Sequence, residues 1–166
     1  MLNPFQFAAQ AEFESLALPH APELLRFARR LSGNAAFAED LVQETLLKAW
    51  HGFRRFERGT NFRAWLFRIL VNTFHRNGRT AVPHTPLNDR MSANGGDALE
   101  RLEVLQAFDS LPVEQHTVLL LCIVEGFTSR EASEILSIPI GTVMSRLSRG
   151  RDALRDKLTL QRIPND

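Results

Sequence analysis

Residues able to contact nucleic-acid bases and phosphates recur at helical spacing near the end of this 166-residue sequence. The set consists of Met144, Ser145, Arg146, Ser148, Arg149 and Arg151. Hydroxyl and guanidinium groups donate hydrogen bonds to base edges and to phosphates, so the pattern indicates binding of duplex DNA. The plainer interpretation is an amphipathic helix with a solvated basic side. The elements around these residues favour DNA.

Two short helices around a tight turn would position this set. A threonine and a glutamate three residues later form a capping box, which predicts a helix that starts at Ser129. Pro139 and Gly141 predict a turn over 137–141 and a second helix from about Thr142. The predicted buried positions are Ala132, Ile135 and Leu136 in the first helix and Val143, Leu147, Gly150 and Leu154 in the second. This layout is typical of a helix-turn-helix DNA-binding unit.

A second set of residues suited to nucleic acid lies on a helix predicted from about Asn61 to Asn77. One stripe of this helix consists of Asn61, Trp65, Arg68, Asn72 and Arg76, and the apolar stripe consists of Phe62, Leu66, Ile69 and Thr73. Unpaired bases stack on rings while cations follow the phosphate backbone. The preceding segment, with Phe53, Phe56 and a glycine turn, could hold a base pulled out of its stack. Packing of Trp65 against a neighbouring helix is an equal alternative.

A helix predicted over about 35–50 presents a different face. Asp40, Gln43, Glu44 and Lys48 share one side of it, opposite a side formed by Ala38, Leu41, Val42, Leu46 and Ala49. An acidic protein-docking surface is one interpretation. Periodicity alone favours a solvated face with a Glu44 to Lys48 ion pair.

The overall composition limits the class of protein. Net charge is +1, but residues 51–80 hold seven arginines and one acid, whereas residues 97–114 hold five acids and one arginine. Charge is therefore segregated by element. Cys122 is the only cysteine and lies in an apolar run, so we expect it to be buried, with no disulfide and no cysteine zinc site. The sequence shows no secretory signal and no membrane-length apolar stretch, which predicts a cytoplasmic protein.

The hydrophobic pattern predicts an all-α protein of two small helical domains joined by a flexible linker. Pro22 and Gly33 bracket an early helix. Residues 79–97 hold two prolines and two glycines and are the predicted linker between domains at 1–78 and 98–166. Four helices are predicted after it. The first of them buries Leu99, Leu102, Leu105 and Phe108, and the second runs from Pro112 to Gly126.

Three segments together resemble the extracytoplasmic-function (ECF) group of bacterial RNA polymerase sigma factors. The first, AEDLVQETLLKAW, is similar to the family's core-polymerase-binding helix, and the second, TNFRAWLFRILVNTF, is similar to its promoter-melting and −10-reading helix. The third, from LPVEQHTVLLL to SRLSRGRDAL, is similar to its −35-reading domain. The resemblance covers about residues 20–158, with the motifs in the family's order, which is more specific than a lone helix-turn-helix.

The resemblance assigns a role to each candidate residue. Docking on core RNA polymerase would fall to Asp40, Gln43 and Glu44. Recognition and melting of the −10 element would fall to Phe56, Thr60, Asn61, Trp65, Arg68, Asn72 and Arg76. The −35 element would be bound by Thr142, Met144, Ser145, Arg146, Ser148, Arg149 and Arg151. The resemblance also implies an anti-sigma partner, a linker that follows the polymerase toward its RNA exit path, and no cofactor or metal.

Three positions depart from the family pattern, and two other functions remain as alternatives. Met144 stands where a basic residue is usual, Ser148 where a bulkier one is common, and His75 where an acid or small polar residue is common. A plain helix-turn-helix regulator would bind duplex DNA without polymerase. A sigma-like decoy would only sequester an anti-sigma protein. An enzyme is the weakest option, because the histidines are scattered and no paired carboxylate, nucleophile elbow or glycine-rich phosphate loop appears.

Overall fold

The computed structural model describes residues 4–77 and 95–161. The chain divides into two compact units, Met1–Leu87 and Asn88–Asp166. The described part of the first unit holds α1 (Pro4–Ala17), α2 (Ala21–Ser32), α3 (Ala35–Gly52) and α4 (Phe62–Arg76). The described part of the second holds α5 (Gly95–Asp109), α6 (Val113–Leu119), α7 (Ser129–Leu136) and α8 (Ile140–Gln161). These elements confirm the all-α fold over the described residues.

Local signals set the helix ends in the first unit. Gly33 adopts a left-handed φ of 67°, and its N–H donates to the Arg29 carbonyl at 2.9 Å, which ends α2. The Asn34 side chain then accepts from the Phe37 N–H at 2.9 Å and caps α3. Asn61 caps α4 in the same way, through the Ala64 N–H at 3.0 Å. The predicted starts of α3 and α4 are therefore confirmed to within a residue.

The core of the first unit lies between α2, α3 and α4. Its large, fully buried side chains are Leu24, Phe27, Leu41, Leu66, Phe67, Leu70 and Val71. The Phe27 and Phe67 rings meet edge to face, with centroids 5.0 Å apart. This packing fixes which sides of α3 and α4 remain exposed for function.

Helix α1 is an element that the sequence analysis did not predict. It buries Phe13 and Ala17 and leaves most of its other described side chains exposed or half-buried. The Phe13 ring contacts those of Phe53 and Phe62, with centroids 5.3 and 6.4 Å away. With so narrow a buried side, the helical periodicity of this segment is weak.

The second unit is built around α8, which packs against α5, α6 and α7. Its core includes Val118, Leu119, Leu121, Phe127, Ile135 and Val143. The predicted capping box is present: Thr128 Oγ1 accepts from the Glu131 N–H at 3.2 Å, and Glu131 Oε2 accepts from the Thr128 N–H at 2.8 Å. Helix α6 continues into a π-helical turn over Leu120–Val124. The four helices expected after the linker are confirmed.

The turn of the helix-turn-helix is shorter than predicted. Ser137 takes a left-handed φ of 54° and ends α7. The Pro139 carbonyl already accepts from the Thr142 N–H at 2.9 Å, so α8 begins at Ile140 rather than Thr142. Gly141 therefore lies inside the helix instead of in the turn. A proline just before a helix loses no intrahelical donor, which makes this early start possible.

Three expectations about burial and boundaries were wrong. Cys122 is half-buried, because Leu120, Leu121 and Phe127 fill the core at this turn. Leu102 and Leu105 of α5 are exposed, since that helix packs on α8 along another side. Helix α5 begins at Gly95, inside the predicted linker. The linker residues 79–94 and the side chain of Leu99 lie outside the described part of the chain. None of the helices in the described part is both long and apolar enough to span a lipid bilayer.

Candidate nucleic-acid and protein interfaces

The acidic face of α3 is exposed to solvent, as the helical spacing predicted. Asp40 and Gln43 are exposed, and the Glu44 side chain is 37% exposed. Glu44 accepts from Lys48 Nζ at 2.6 Å and from Asn77 Nδ2 at 2.6 Å. The hydrogen bond from Lys48 has the largest effect on the pKa of Glu44, followed by that from Asn77. Both lower this pKa below its ordinary value. The lowered pKa favours the ionised form of Glu44, whose charge is partly offset by the paired Lys48.

An apolar side chain that the sequence analysis did not single out shares this face. Leu47 is 56% exposed, while Leu41, Val42 and Ala49 on the opposite side are buried. It follows Gln43 by four residues and Glu44 by three, so all three lie along one side of α3. That spacing could have identified it from the sequence. Single exposed leucines are common on protein surfaces, so Leu47 gains its significance from its place beside Gln43 and Glu44.

Four aromatic rings cluster where α3 turns toward α4. Phe56 is only 8% exposed, and its ring centroid lies 5.0 Å from both the Phe62 and the Trp65 ring centroids. Phe53 stacks nearly parallel to Phe56. Trp65 is half-buried and also touches the Gly52 region. Most of the Trp65 side chain therefore packs against neighbouring rings, as the packing alternative predicted. Phe56 is buried in the same cluster, so its ring is not exposed for stacking on a base.

The loop between this cluster and α4 is a tight turn with polar side chains at its tip. Gly59 has a φ of 91°, and Thr60 donates through both its N–H and its Oγ1 to the Glu57 carbonyl. Thr60 and Asn61 are exposed. The Asn61 side-chain oxygen caps α4, so part of this amide serves the fold.

An open cleft of about 220 Å³ lies between α3 and α4. Its walls are formed by Lys48, Ile69, Asn72, Thr73 and Arg76. Lys48 Nζ donates to Thr73 Oγ1 at 3.3 Å across the cleft, and Asn72 and Arg76 are exposed. The cleft brings together two cationic side chains, an amide and a short apolar wall. Sequence reasoning placed Asn72 and Arg76 on this side but not Lys48, because the pairing of two helices is not visible in the spacing of either.

The remaining residues of the predicted −10 stripe agree with the expected side of α4. Arg68 is exposed, as are Arg54 and Arg55 before the loop. The buried positions of α4 are Phe62, Leu66, Phe67, Leu70, Val71 and Thr73, with Ile69 half-buried. The basic side chains predicted on this part of the first unit therefore point to solvent.

Two of the four positions that the sequence predicts to be buried in α8 are buried, and the other two are only half-buried. Val143 and Gly150 are buried, and Leu147 and Leu154 are half-buried. Met144 is 58% exposed. Ser145, Ser148, Arg149 and Arg151 are exposed, and Thr142 and Arg146 are half-buried. From its first turn to Arg151, α8 thus presents hydroxyl, thioether and guanidinium groups together, which is typical of a recognition helix.

Comparison with known proteins matches both units. The Sigma-70 region 2 family matches residues 16–81, and the Sigma-70, region 4 family matches residues 101–154. The ECF RNA polymerase sigma factor EcfG of Rhodopseudomonas palustris is 40% identical over 82% of this chain and 80% of its own length. The ECF RNA polymerase sigma factor SigE of Mycolicibacterium smegmatis is 37% identical over 91% of this chain, which spans 63% of that relative's length.

A solved structure extends the likeness to three dimensions. The sigma factor RpoE of Bartonella quintana, crystallised in complex with the anti-sigma factor NepR, is 32% identical, with a TM-score of 0.76 over 91% of this chain and 99% of that one. The sequence identities, the coverage of the chain and the order of the two regions all indicate the same family. The chain therefore belongs to the extracytoplasmic-function group of the sigma-70 family, the sigma factors that bind core RNA polymerase and promoter DNA to initiate transcription.

Proposed function

We propose that this protein binds core RNA polymerase through α3, places α8 on the −35 element and traps unpaired bases of the −10 element on the first unit. The observation that carries the proposal is that each unit exposes its own polar, basic set, the cleft beside Asn72 in one and the start of α8 in the other. Nucleotide addition belongs to the polymerase, and this chain supplies no catalysis of its own.

The polymerase contact is supported by charge and by an apolar anchor on one helix side. Asp40, Gln43 and Glu44 supply acidic and amide groups, and Leu47 supplies surface that gains free energy when it leaves water. The negative charge also keeps DNA phosphates away from this side of α3. We therefore infer a basic protein surface as the partner of this face.

The −10 contact is supported by the cleft between α3 and α4. Asn72 can donate and accept at once, as a base edge requires, and Ile69 offers an apolar wall to a base plane. Arg76 is placed for a phosphate of the same strand, whereas Lys48 is paired with Glu44 and closes the other side of the cleft. Thr60 and Asn61, which are exposed just before α4, would contact the strand further along, Arg68 would follow its backbone, and the exposed part of Trp65 would support strand opening.

The −35 contact is supported by the exposed side of α8. Arg149 can form two hydrogen bonds with a guanine, and the hydroxyl groups of Ser145 and Ser148 can donate to or accept from base edges. Met144 favours apolar contact, for instance with a thymine methyl. Thr142, Arg146 and Arg151 lie beside them and would hold phosphates.

We extend the regulation of the Bartonella relative to this chain. That sigma factor was crystallised with its anti-sigma factor NepR, and the two chains align over 91% of this one. An anti-sigma protein that covers the docking face or the DNA-binding sides would hold this factor idle. Its place of action is the cytoplasm, where polymerase and promoter DNA are.

The proposal is tested by in vitro transcription from a pool of genomic promoter fragments, using core polymerase of the source organism with and without this protein. Transcripts that depend on the protein and share −35 and −10 sequences support it. Silence combined with tight duplex binding by the protein alone would favour a plain regulator. Silence without binding would favour a decoy that only sequesters an anti-sigma protein.

A further inference from the structure

An ion pair joins α1 to the loop that precedes α4. Arg58 Nε donates to Glu12 Oε1 at 2.8 Å, and Arg58 Nη2 donates to Glu12 Oε2 at 2.8 Å, across 46 residues of sequence. This is the two-point geometry of a guanidinium on a carboxylate, which fixes orientation as well as distance. The Arg58 hydrogen bond is the largest effect on the Glu12 carboxyl and lowers its pKa.

The same arginine also lies on the aromatic cluster. Its guanidinium carbon is 5.5 Å from the centre of the Phe53 ring, which stacks nearly parallel to Phe56. The Phe13 ring of α1 also contacts the Phe53 ring, with the two centroids 5.3 Å apart. Helix α1 therefore holds the 53–61 loop by two neighbouring residues, a polar contact through Glu12 and an apolar one through Phe13.

The loop itself has a backbone that benefits from such a constraint. Gly59 occupies a left-handed φ of 91°, and the turn is closed by local bonds from Thr60 to the Glu57 carbonyl. Local bonds shape the turn but do not fix it against the rest of the unit. The buried rings of Phe53 and Phe56 fix one side of the loop, and the bidentate pair links its tip to α1, a helix outside the predicted −10 site.

We propose that Glu12 and Arg58 form a positioning pair that fixes the 53–61 loop and thereby sets selectivity for the unpaired bases of the −10 element. This inference rests on the proposed −10 role of the first unit. Two donors of the guanidinium bond Glu12, and the carboxylate neutralises its charge, so Arg58 acts on DNA through the loop rather than by holding a phosphate. Helix α1 thus contributes to promoter recognition by fixing the position of the loop.

Because the pair is exposed, its effect on base selectivity can be measured separately from any effect on stability. The Arg58 and Glu12 side chains are 60% and 41% exposed. Exposed ion pairs contribute little to stability, so breaking this one should leave the fold and the melting temperature unchanged. A change in base selectivity at unchanged stability would then report on loop position alone.

The experiment uses holoenzyme and promoter templates that differ only at single bases of the −10 non-template strand. For Glu12→Gln and Arg58→Gln, we expect the ratio of transcription from the preferred and the altered template to fall at least about threefold. The double variant Glu12→Arg/Arg58→Glu should recover at least half of the loss. Glu39→Gln, which breaks the exposed Arg29–Glu39 pair between α2 and α3, is the matched control and should leave the ratio of the two templates unchanged.

Two results would overturn the inference. If Arg58→Gln weakens every template equally and Glu12→Gln strengthens them, Arg58 holds a phosphate and Glu12 competes with DNA. If all three variants keep wild-type selectivity, the pair has no part in promoter reading. A wild-type protein that supports no transcription with core polymerase would instead contradict the proposed function itself.

Discussion

A Cβ atom placed on Gly150 would lie 2.8 Å from Cδ1 of Leu119, closer than non-bonded carbon atoms approach. Leu119 is fully buried in α6, so any shift of its side chain has to be taken up by its neighbours in the core. The close approach of α8 to α6 at this point holds the recognition helix on the second unit. The glycine is therefore required by packing rather than by backbone conformation.

Replacement of Gly150 by alanine should destabilise the second unit. Overpacking of a filled core costs about 1–3 kcal/mol, which exceeds the gain of about 0.5–1 kcal/mol from removing a glycine within a helix. The matched control is Gly141→Ala, also in α8, where an added Cβ meets nothing within 4 Å. Thermal unfolding should show a lower midpoint for Gly150→Ala and a slightly higher one for Gly141→Ala. Equal midpoints would mean that Leu119 can yield.

Reversal of charge on the acidic face should prevent assembly with polymerase. Asp40→Arg combined with Glu44→Arg places two cations against the basic partner surface, and the core stays intact because neither side chain is buried. Co-purification with core polymerase measures the effect. Glu14→Arg with Glu134→Arg changes net charge equally at exposed positions elsewhere and should still co-purify. Retention of binding by the α3 variant would remove the docking assignment.

Truncation of Leu47 should weaken the same contact without any change in charge. An apolar anchor at the centre of an interface contributes more than about 1 kcal/mol, which corresponds to about a fivefold rise in Kd for polymerase. Leu18→Ala removes a similarly exposed leucine outside α3 and should leave Kd unchanged. Equal affinities for the two variants would place Leu47 outside the interface.

Loss of Asn72 should reduce discrimination at one unpaired base of the −10 element. The alanine variant keeps the cleft but removes the amide, so templates altered at that base should become equivalent to the preferred one. Binding of a single-stranded −10 oligonucleotide measures this directly. Asn77→Ala, which removes another exposed amide at the end of α4, is the control. Unchanged discrimination by Asn72→Ala would show that the base is read elsewhere.

Replacement of Arg149 by alanine should cost about 1–3 kcal/mol at the −35 element if the guanidinium contacts a base. The loss should depend on the base at one position, because a lost phosphate contact would weaken all sequences alike. Arg155→Ala, an exposed arginine further along α8, should have no base-dependent effect. Promoter selectivity that stays the same in Arg149→Ala would contradict the base contact.

The sequence predicted best where a single helix carries its own signal. The capping box at Thr128, the buried and exposed sides of α8 and the exposed side of α3 all follow from spacing within one element. Contacts between different elements could not be predicted from the sequence. The Lys48 side of the cleft, the link from Glu12 to Arg58 and the exposure of Leu102 depend on which helices meet, and helix α1 buries too narrow a stripe to show periodicity.

Permanganate reactivity of thymines in the −10 element tests the central claim most directly, because it reports unpaired bases at the promoter. On a promoter found by pooled transcription, reactive thymines should appear only when core polymerase and this protein are both present. They should be lost with the Asp40→Arg/Glu44→Arg variant. Equal reactivity with core polymerase alone, or duplex binding by this protein without any strand opening, would contradict its role as the sigma factor.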